Sequence, residues 1–327
     1  MTVNQELTKQ SNYNFVLEPR ACTILFNFIT SNKSPLPYVM PANICPIVPI
    51  TFFKAGQTIQ FADIIPETFS LDEKICLELA RNQKIGGILL VHTYGEVTSH
   101  SEFFSKLKNI NPNIFIIDDR CLCKPDFSEP LFENIDLILY STGYGKYVDA
   151  GSCGFGWKKQ GISYKESHLP FNQRHLEGLE QGYKASIQSK SVFHYRDNDW
   201  LETRPMDMDF QSFSIKVTEV LKEMIQMKTQ INQIYRKLLP AQIQLPEIFN
   251  GWRFNIQVPN KTEVLKALFD NHLFASSHYA SLGGIMAEGV FPFAEDLHTH
   301  IINLFNDQHF SVEQAQKTTS IINQVLR

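Results

Sequence analysis

The stretch STGYGKYVDAGSCGFG (141–156) places one lysine, Lys146, between glycines. Glycines permit tight turns and close approach of the backbone to a ligand. A lysine held in an apolar pocket loses hydration, so its neutral amine becomes accessible and can form a Schiff base with an aldehyde cofactor. Ser141, five residues earlier at the end of an apolar run, offers a hydroxyl to an anionic group. The segment fails the nucleotide P-loop pattern, which needs Ser or Thr directly after the lysine where this chain has Tyr147. Composition alone also allows a solvated loop lysine.

IFIIDD (114–119) supplies a carboxylate at a strand end. Such a group can pair with a protonated pyridine nitrogen and keep that ring able to accept electrons. Strand side chains alternate, so one of Asp118 and Asp119 faces the pocket, and the residues alone prefer neither. Either could instead turn the chain. His92, in LLVHTYGE, reads as a positioning group or a cofactor contact, and Tyr94 as a packing or hydrogen-bonding ring. Cys45, in NICPI, reads as a packed thiol unless it faces the cofactor. No paired metal-ligand cluster is evident, and no metal is expected.

Short apolar strands must position these residues. YVM (38–40), QTIQFADI (57–64), GGILLVHTYG (86–95), NIFIIDD (113–119) and NIDLILYST (134–142) read as strands. They alternate with helical segments at 21–29, 47–56, 70–82 (Ser70 as N-cap) and 100–109. This alternation predicts an α/β fold, a mostly parallel sheet with helices on both faces and ligands at the carboxyl ends of its strands. GSCGFGW (151–157) can open a further strand, and 158–205 reads as surface loop with a helix or two. Residues 210–240 read as one long helix, followed by a strand at 254–259 and helices at 262–273, from 292 and at 311–326. The expected division is a tail (1–14), a large domain (15–209) and a linking helix with a small α+β C-terminal domain (210–327).

The chain has 327 residues, with 34 acidic against 30 basic side chains and a net charge of -4. That balance offers no field for nucleic acid or an anionic membrane. No apolar run reaches membrane-spanning length, and the start does not read as a secretory signal. Six cysteines over this length read as buried thiols in a reducing cytoplasm.

Taken in order, PANICPIVPITFFKAGQTIQFADI (41–64), ILLVHTYGEV (88–97), IFIIDD (114–119), ILYSTGYGKYVDAGSCGFG (138–156), INQIYRKLL (231–239), SSHYASL (276–282) and PFAEDLHTHIINLF (292–305) resemble the DegT/DnrJ/EryC1/StrS family of aminotransferases dependent on pyridoxal 5'-phosphate (PLP). The resemblance implies a fold-type I enzyme with a seven-stranded, mainly parallel sheet and a homodimer with shared active sites. It implies an amino-acid donor, glutamate among the candidates, and a nucleotide-linked keto sugar as acceptor. By the same resemblance Lys146 is the Schiff-base lysine, Asp119 the carboxylate at the pyridine nitrogen and Ser141 a phosphate ligand. His278 and Tyr279 approach the sugar.

Several positions depart from the family pattern. The phosphate-cradling turn is replaced by EPRAC (18–22), where Pro19 lacks an amide donor. Arg20 and the helix start at Ala21 and Cys22 still favour an anion. Cys45 stands where relatives stack an aromatic ring, and Leu122 where they carry Gln or His. Arg204 stands where a partner-subunit asparagine reaches the phosphate. These departures keep two other readings open: a PLP-dependent dehydratase or lyase on the same scaffold, and a noncatalytic dimeric binding protein.

Overall fold

Continuous apolar runs form the central strands because both of their faces are covered. The computed structural model describes residues 12–130, 134–151 and 153–327, so most of the expected tail and Ser152 lie outside the described residues. One sheet is built from β1 (Tyr13–Glu18), β2 (Tyr38–Pro41), β3 (Ile59–Ala62), β4 (Gly87–Val91), β5 (Phe115–Asp119), β6 (Leu137–Ser141) and β7 (Gly154–Lys159). Its seven strands run in the order β1-β7-β6-β5-β4-β2-β3. Strands β2 to β6 are parallel, and β7 is antiparallel to both β6 and β1.

Alternation along the strands sends side chains into two cores. Leu89, Ile117 and Leu139 pack with Ile24 and Phe28 of α1 (Ala21–Ser31) and Ile50 and Phe52 of α2 (Ile47–Lys54). Ile88, Ile116 and Ile138 pack on the other face with Cys76 of α3 (Glu73–Arg81), Phe103 and Leu107 of α4 (Ser101–Ile110), and Phe213. Truncating one such residue to alanine costs roughly 2–5 kcal/mol.

The expected cap of α3 shifts by two residues. Asp72, not Ser70, accepts from the Lys74 and Ile75 amides, because its carboxylate sits directly at the first turn while Ser70 is buried behind it. Strand β1 replaces the expected fray at 13–14, since its pairing with β7 satisfies the backbone there. The 158–205 region carries one helix, α5 (Gln173–Ser189).

Helix α6 (Phe210–Leu238) runs unbroken from Phe213 and Val217 in the second core to Ile231 and Tyr235 in a third. That third core is formed with β8 (Phe254–Gln257), α7 (Lys261–Asp270), β9 (Ala275–Ser276), β10 (Ile301–Leu304) and α9 (Val312–Val325), while α8 (Pro292–His300) turns Ala294 and Leu297 into the first core. The small sheet is antiparallel, in the order β8-β10-β9. No helix among the described residues is long and apolar enough to cross a membrane.

Candidate active site

Strand β5 separates its two carboxylates by face. Asp118 shares the face of Ile116 and is fully buried, taking Arg120 Nε at 2.8 Å and pairing with His92 Nε2 at 2.7 Å. Asp119 shares the face of Ile117, and its Oδ1 accepts from the Cys121 amide at 2.9 Å. Asp119, Cys121, Cys45 and Cys22 all act electrostatically on the Lys146 amine, so strand end and glycine loop converge. His92, read as a positioning group or a cofactor contact, sits on the Asp118 side of the strand. Its Nδ1 meets the Glu96 carbonyl at 3.0 Å, so both ring nitrogens are engaged on the Asp118 face, away from Lys146.

The lysine loop is pinned from outside the large sheet. The Lys146 amide donates to Gly143 O at 3.2 Å, Gly145 takes a positive φ of 71°, and Trp252 Nε1 donates to Gly145 O at 2.7 Å. Burial alone pulls the Lys146 amine down, as its sequence context suggests. The outcome is the reverse of that expectation: Cys121, Cys45, Asp119 and Cys22 outweigh burial and raise the amine above the ordinary lysine value.

Tyr279 and His278 close the other side. Burial raises the Tyr279 hydroxyl well above the usual tyrosine range, and Cys45, Asp119, Arg253 and Cys121 all act on it. The Tyr279 hydroxyl and the Cys45 thiol act on one another. His278 is pushed down to about 3 by burial, then by Arg253, Lys146 and His298, so its imidazole is neutral. Tyr94 donates to the His278 carbonyl at 2.8 Å and Asn303 Oδ1 receives the His278 amide at 2.8 Å.

Two residues here escape sequence reasoning. Trp252 and Arg253 stand just before β8, in a segment without periodicity, and the only signal is a bulky Trp-Arg pair beside a strand start. Arg253 is buried between the Phe305 ring (3.8 Å) and the Trp252 ring (4.4 Å) and donates to Ser276 Oγ. Its Nε has no hydrogen-bond partner, and a Cβ on Gly145 would lie 3.8 Å from its Nη2. Burial lowers this guanidinium to about 10, with Asp307 opposing.

The phosphate end is tested by one glycine. A Cβ on Gly154 would lie 2.1 Å from the Ala21 nitrogen, so β7 presses its glycine onto the first turn of α1. Gly154 is also the register partner of Ser141. The Ser141 strand end and the Ala21 and Cys22 amides therefore flank one backbone, a cradle suited to an anion at a helix N-terminus. Arg20 is exposed beside it and acts on both the Cys22 thiol and Glu202.

Arg204 pairs within its own chain. Glu202 of its own chain grips it at 2.8 Å (Nε) and 2.7 Å (Nη2), so its fork is already filled and it stays largely in solvent. Pro19 contributes its carbonyl, which accepts from the Cys153 amide at 3.0 Å. Leu122 is buried in the core that contains Tyr94 and Trp252. Two surface grooves, about 560 and 750 Å³, are lined around Phe53 and Tyr195 and around Thr30 and Tyr164, away from Lys146.

Many solved structures share this architecture. A DegT DnrJ EryC1 StrS aminotransferase from Brucella abortus is 13% identical and superposes with a TM-score of 0.68 over 95% of this chain and 86% of its own. The sugar aminotransferase CalS13 from Micromonospora echinospora is 14% identical, with a TM-score of 0.65 over 95% and 87%. DesI, solved in the presence of its TDP-sugar product, is 14% identical, with a TM-score of 0.70 over 95% and 80%. The chain has the fold of these aminotransferases. No family model and no curated protein matches the sequence. The α/β architecture with a mainly parallel sheet of seven strands, expected from the strand pattern and the resemblance, is the observed one.

Proposed function

We propose that the protein is a PLP-dependent aminotransferase acting on a keto sugar. What supports this reading is the electrostatic coupling of the buried Lys146 amine to Asp119, distant in sequence, and to Cys22 in the first turn of α1. PLP, when bound, supplies an electron sink that stabilises a carbanion at the α-carbon of an amino acid. Lys146 would hold it covalently, Asp119 would face its ring nitrogen, and the Ala21 and Cys22 amides with Ser141 would take its phosphate, with Arg20 adding charge. Cys45 and Tyr279 would border the ring without an aromatic stack at position 45.

The chain's own residues then divide the work. Lys146 Nζ is the base that removes the α-proton of the amino donor. Arg253, a buried guanidinium with an unpaired Nε, receives the donor's carboxylate, which fits glutamate. The neutral His278 and Tyr279 contact the sugar. A nucleotide-linked acceptor is supported by DesI, whose structure holds a TDP-sugar product. Tyr144, 80% exposed beside the lysine loop, supports a second copy of the chain covering the site. The free state of all six cysteines supports a reducing cytoplasm.

The test is absorbance with added PLP, followed by turnover with glutamate and a nucleotide-linked keto sugar. The wild type is expected to hold PLP covalently and to transfer nitrogen stoichiometrically, and Lys146→Ala to do neither. PLP held identically by Lys146→Ala would overturn the assignment. A sugar consumed without nitrogen transfer would point to the dehydratase or lyase reading, which the apolar Leu122 beyond Asp119 motivates.

A further inference from the structure

Behind Asp118 the loop from β4 to α4 gathers three ligand-bearing side chains. The atoms offered by His92, Glu96 and His100 all lie within 4.8 Å of one another. Glu96 Oε1 is 3.1 Å from His92 Nδ1 and 3.7 Å from His100 Nε2. Two nitrogens and an oxygen at about 2.0–2.1 Å from one tetrahedral ion stand roughly 3.3 Å apart, and the two distances bracket that value.

Hydrogen bonds and ion pairs account for only part of the cluster. Glu96 is buried and His100 half-buried, and the buried atoms Glu96 Oε1 and His100 Nε2 have no hydrogen-bond partner. His92 Nδ1 lies 3.0 Å from the Glu96 carbonyl and would exchange that contact for the ion. The second nitrogens are already braced by carboxylates: His92 Nε2 by Asp118 at 2.7 Å and His100 Nδ1 by Glu73 at 2.9 Å. Imidazoles oriented by an outer carboxylate are the usual support of histidine metal ligands. Glu96 Oε2 accepts from the Thr98 amide at 2.5 Å, leaving Oε1 aimed inward.

We propose that His92, Glu96 and His100 bind a divalent transition-metal ion of the zinc type, with a water completing four-coordination. The donor set of two imidazoles and one carboxylate suits zinc. The role is structural. Tyr94 and Gly95 lie between the ligands, the Tyr94 carbonyl accepts from the Trp252 amide at 3.2 Å, and Trp252 in turn holds Gly145 beside Lys146. A metal that fixes this loop therefore fixes the mount of the lysine. The sequence hides the site because its four-residue spacing falls on an irregular turn, where Tyr94 takes a φ of 62°. The expectation of no metal-ligand cluster is thereby revised.

The full-length protein, stripped and reloaded with Zn(II) and then desalted, is expected to retain about one zinc per chain. Its thermal midpoint should rise with Zn(II) and fall with EDTA. Glu96→Gln and His100→Gln should lose the retained zinc and the Zn(II)-dependent shift while keeping the wild-type circular dichroism. Glu73→Gln should weaken zinc binding roughly 10- to 100-fold. Co(II) in the wild type should give tetrahedral d–d bands without a thiolate charge-transfer band. The proposal is overturned by a wild type that retains no metal, in which case a proton shared among His92, Asp118 and Glu96 fills the space. It is equally overturned by variants that retain as much zinc as the wild type, or by a thiolate band that places the ion on the cysteines. None of these readouts depends on PLP or on turnover, so they stand apart from the aminotransferase test.

Discussion

Asp118 and Asp119 are chemically identical neighbours with opposite duties, and substitution separates them. Asp119→Asn should leave the thermal midpoint near that of the wild type and remove most turnover, because in the proposed site Asp119 is the carboxylate that would hold a pyridine nitrogen charged. Asp118→Asn should instead lower stability. It breaks a fully buried charge pair with Arg120 and His92, a class of loss worth about 3–5 kcal/mol, which urea titration would read. Equal effects from both variants would remove the distinction. Arg253→Met should raise KM for the amino donor far more than it lowers kcat. The lost partner of a desolvated carboxylate is worth about 2–5 kcal/mol, and steady-state kinetics with the donor varied would show it. A change confined to the sugar KM would move Arg253 out of the donor site.

At the scale of elements, the cradle depends on how closely β7 approaches α1. Gly154→Ala puts a methyl group 2.1 Å from the Ala21 nitrogen, so the first turn of α1 must shift. PLP affinity should fall at least tenfold in a binding titration, with the strands of the main sheet retained by circular dichroism; unchanged affinity would place the phosphate elsewhere. Other features were legible earlier. The runs ILLV and IFIID read as strands because both faces are covered, and the unbroken periodicity of 210–240 read as the long α6. The pair Asp118/Asp119 was not legible, because alternation says that two neighbours diverge without saying which way. Trp252 and Arg253 were invisible for another reason: their partner Gly145 lies more than a hundred residues earlier, and no local pattern encodes that meeting. Strand β1 pairs only with β7, and its short run YNFVLE is too brief to stand out from the polar tail before it.

At the scale of the whole molecule, the long helix, the small sheet and the lysine loop meet around one buried amine. Lys228 of α6 donates to Trp252 O and to Asn306 Oδ1, and lies 4.8 Å from the Tyr147 ring centroid. Burial lowers this amine to about 7, with Asp307 opposing and Arg253 adding to the effect. An unfolded lysine titrates near 10.4. Between these values the unfolded chain binds more protons than the folded one, so this group makes stability rise with pH across that window. Below about 7 both states carry the proton and the cost of burying it is constant. Above roughly 10.4 neither does, and the cost vanishes. Urea midpoints should therefore increase from pH 7 to pH 9, and Lys228→Met should flatten that increase while raising the neutral-pH midpoint. The flattening is the specific sign, because a methionine that merely packed well would raise the midpoint equally at every pH. A rise from pH 7 to pH 9 that persists unchanged in Lys228→Met would assign it to other groups and leave Lys228 as a charged strut between the two sheets.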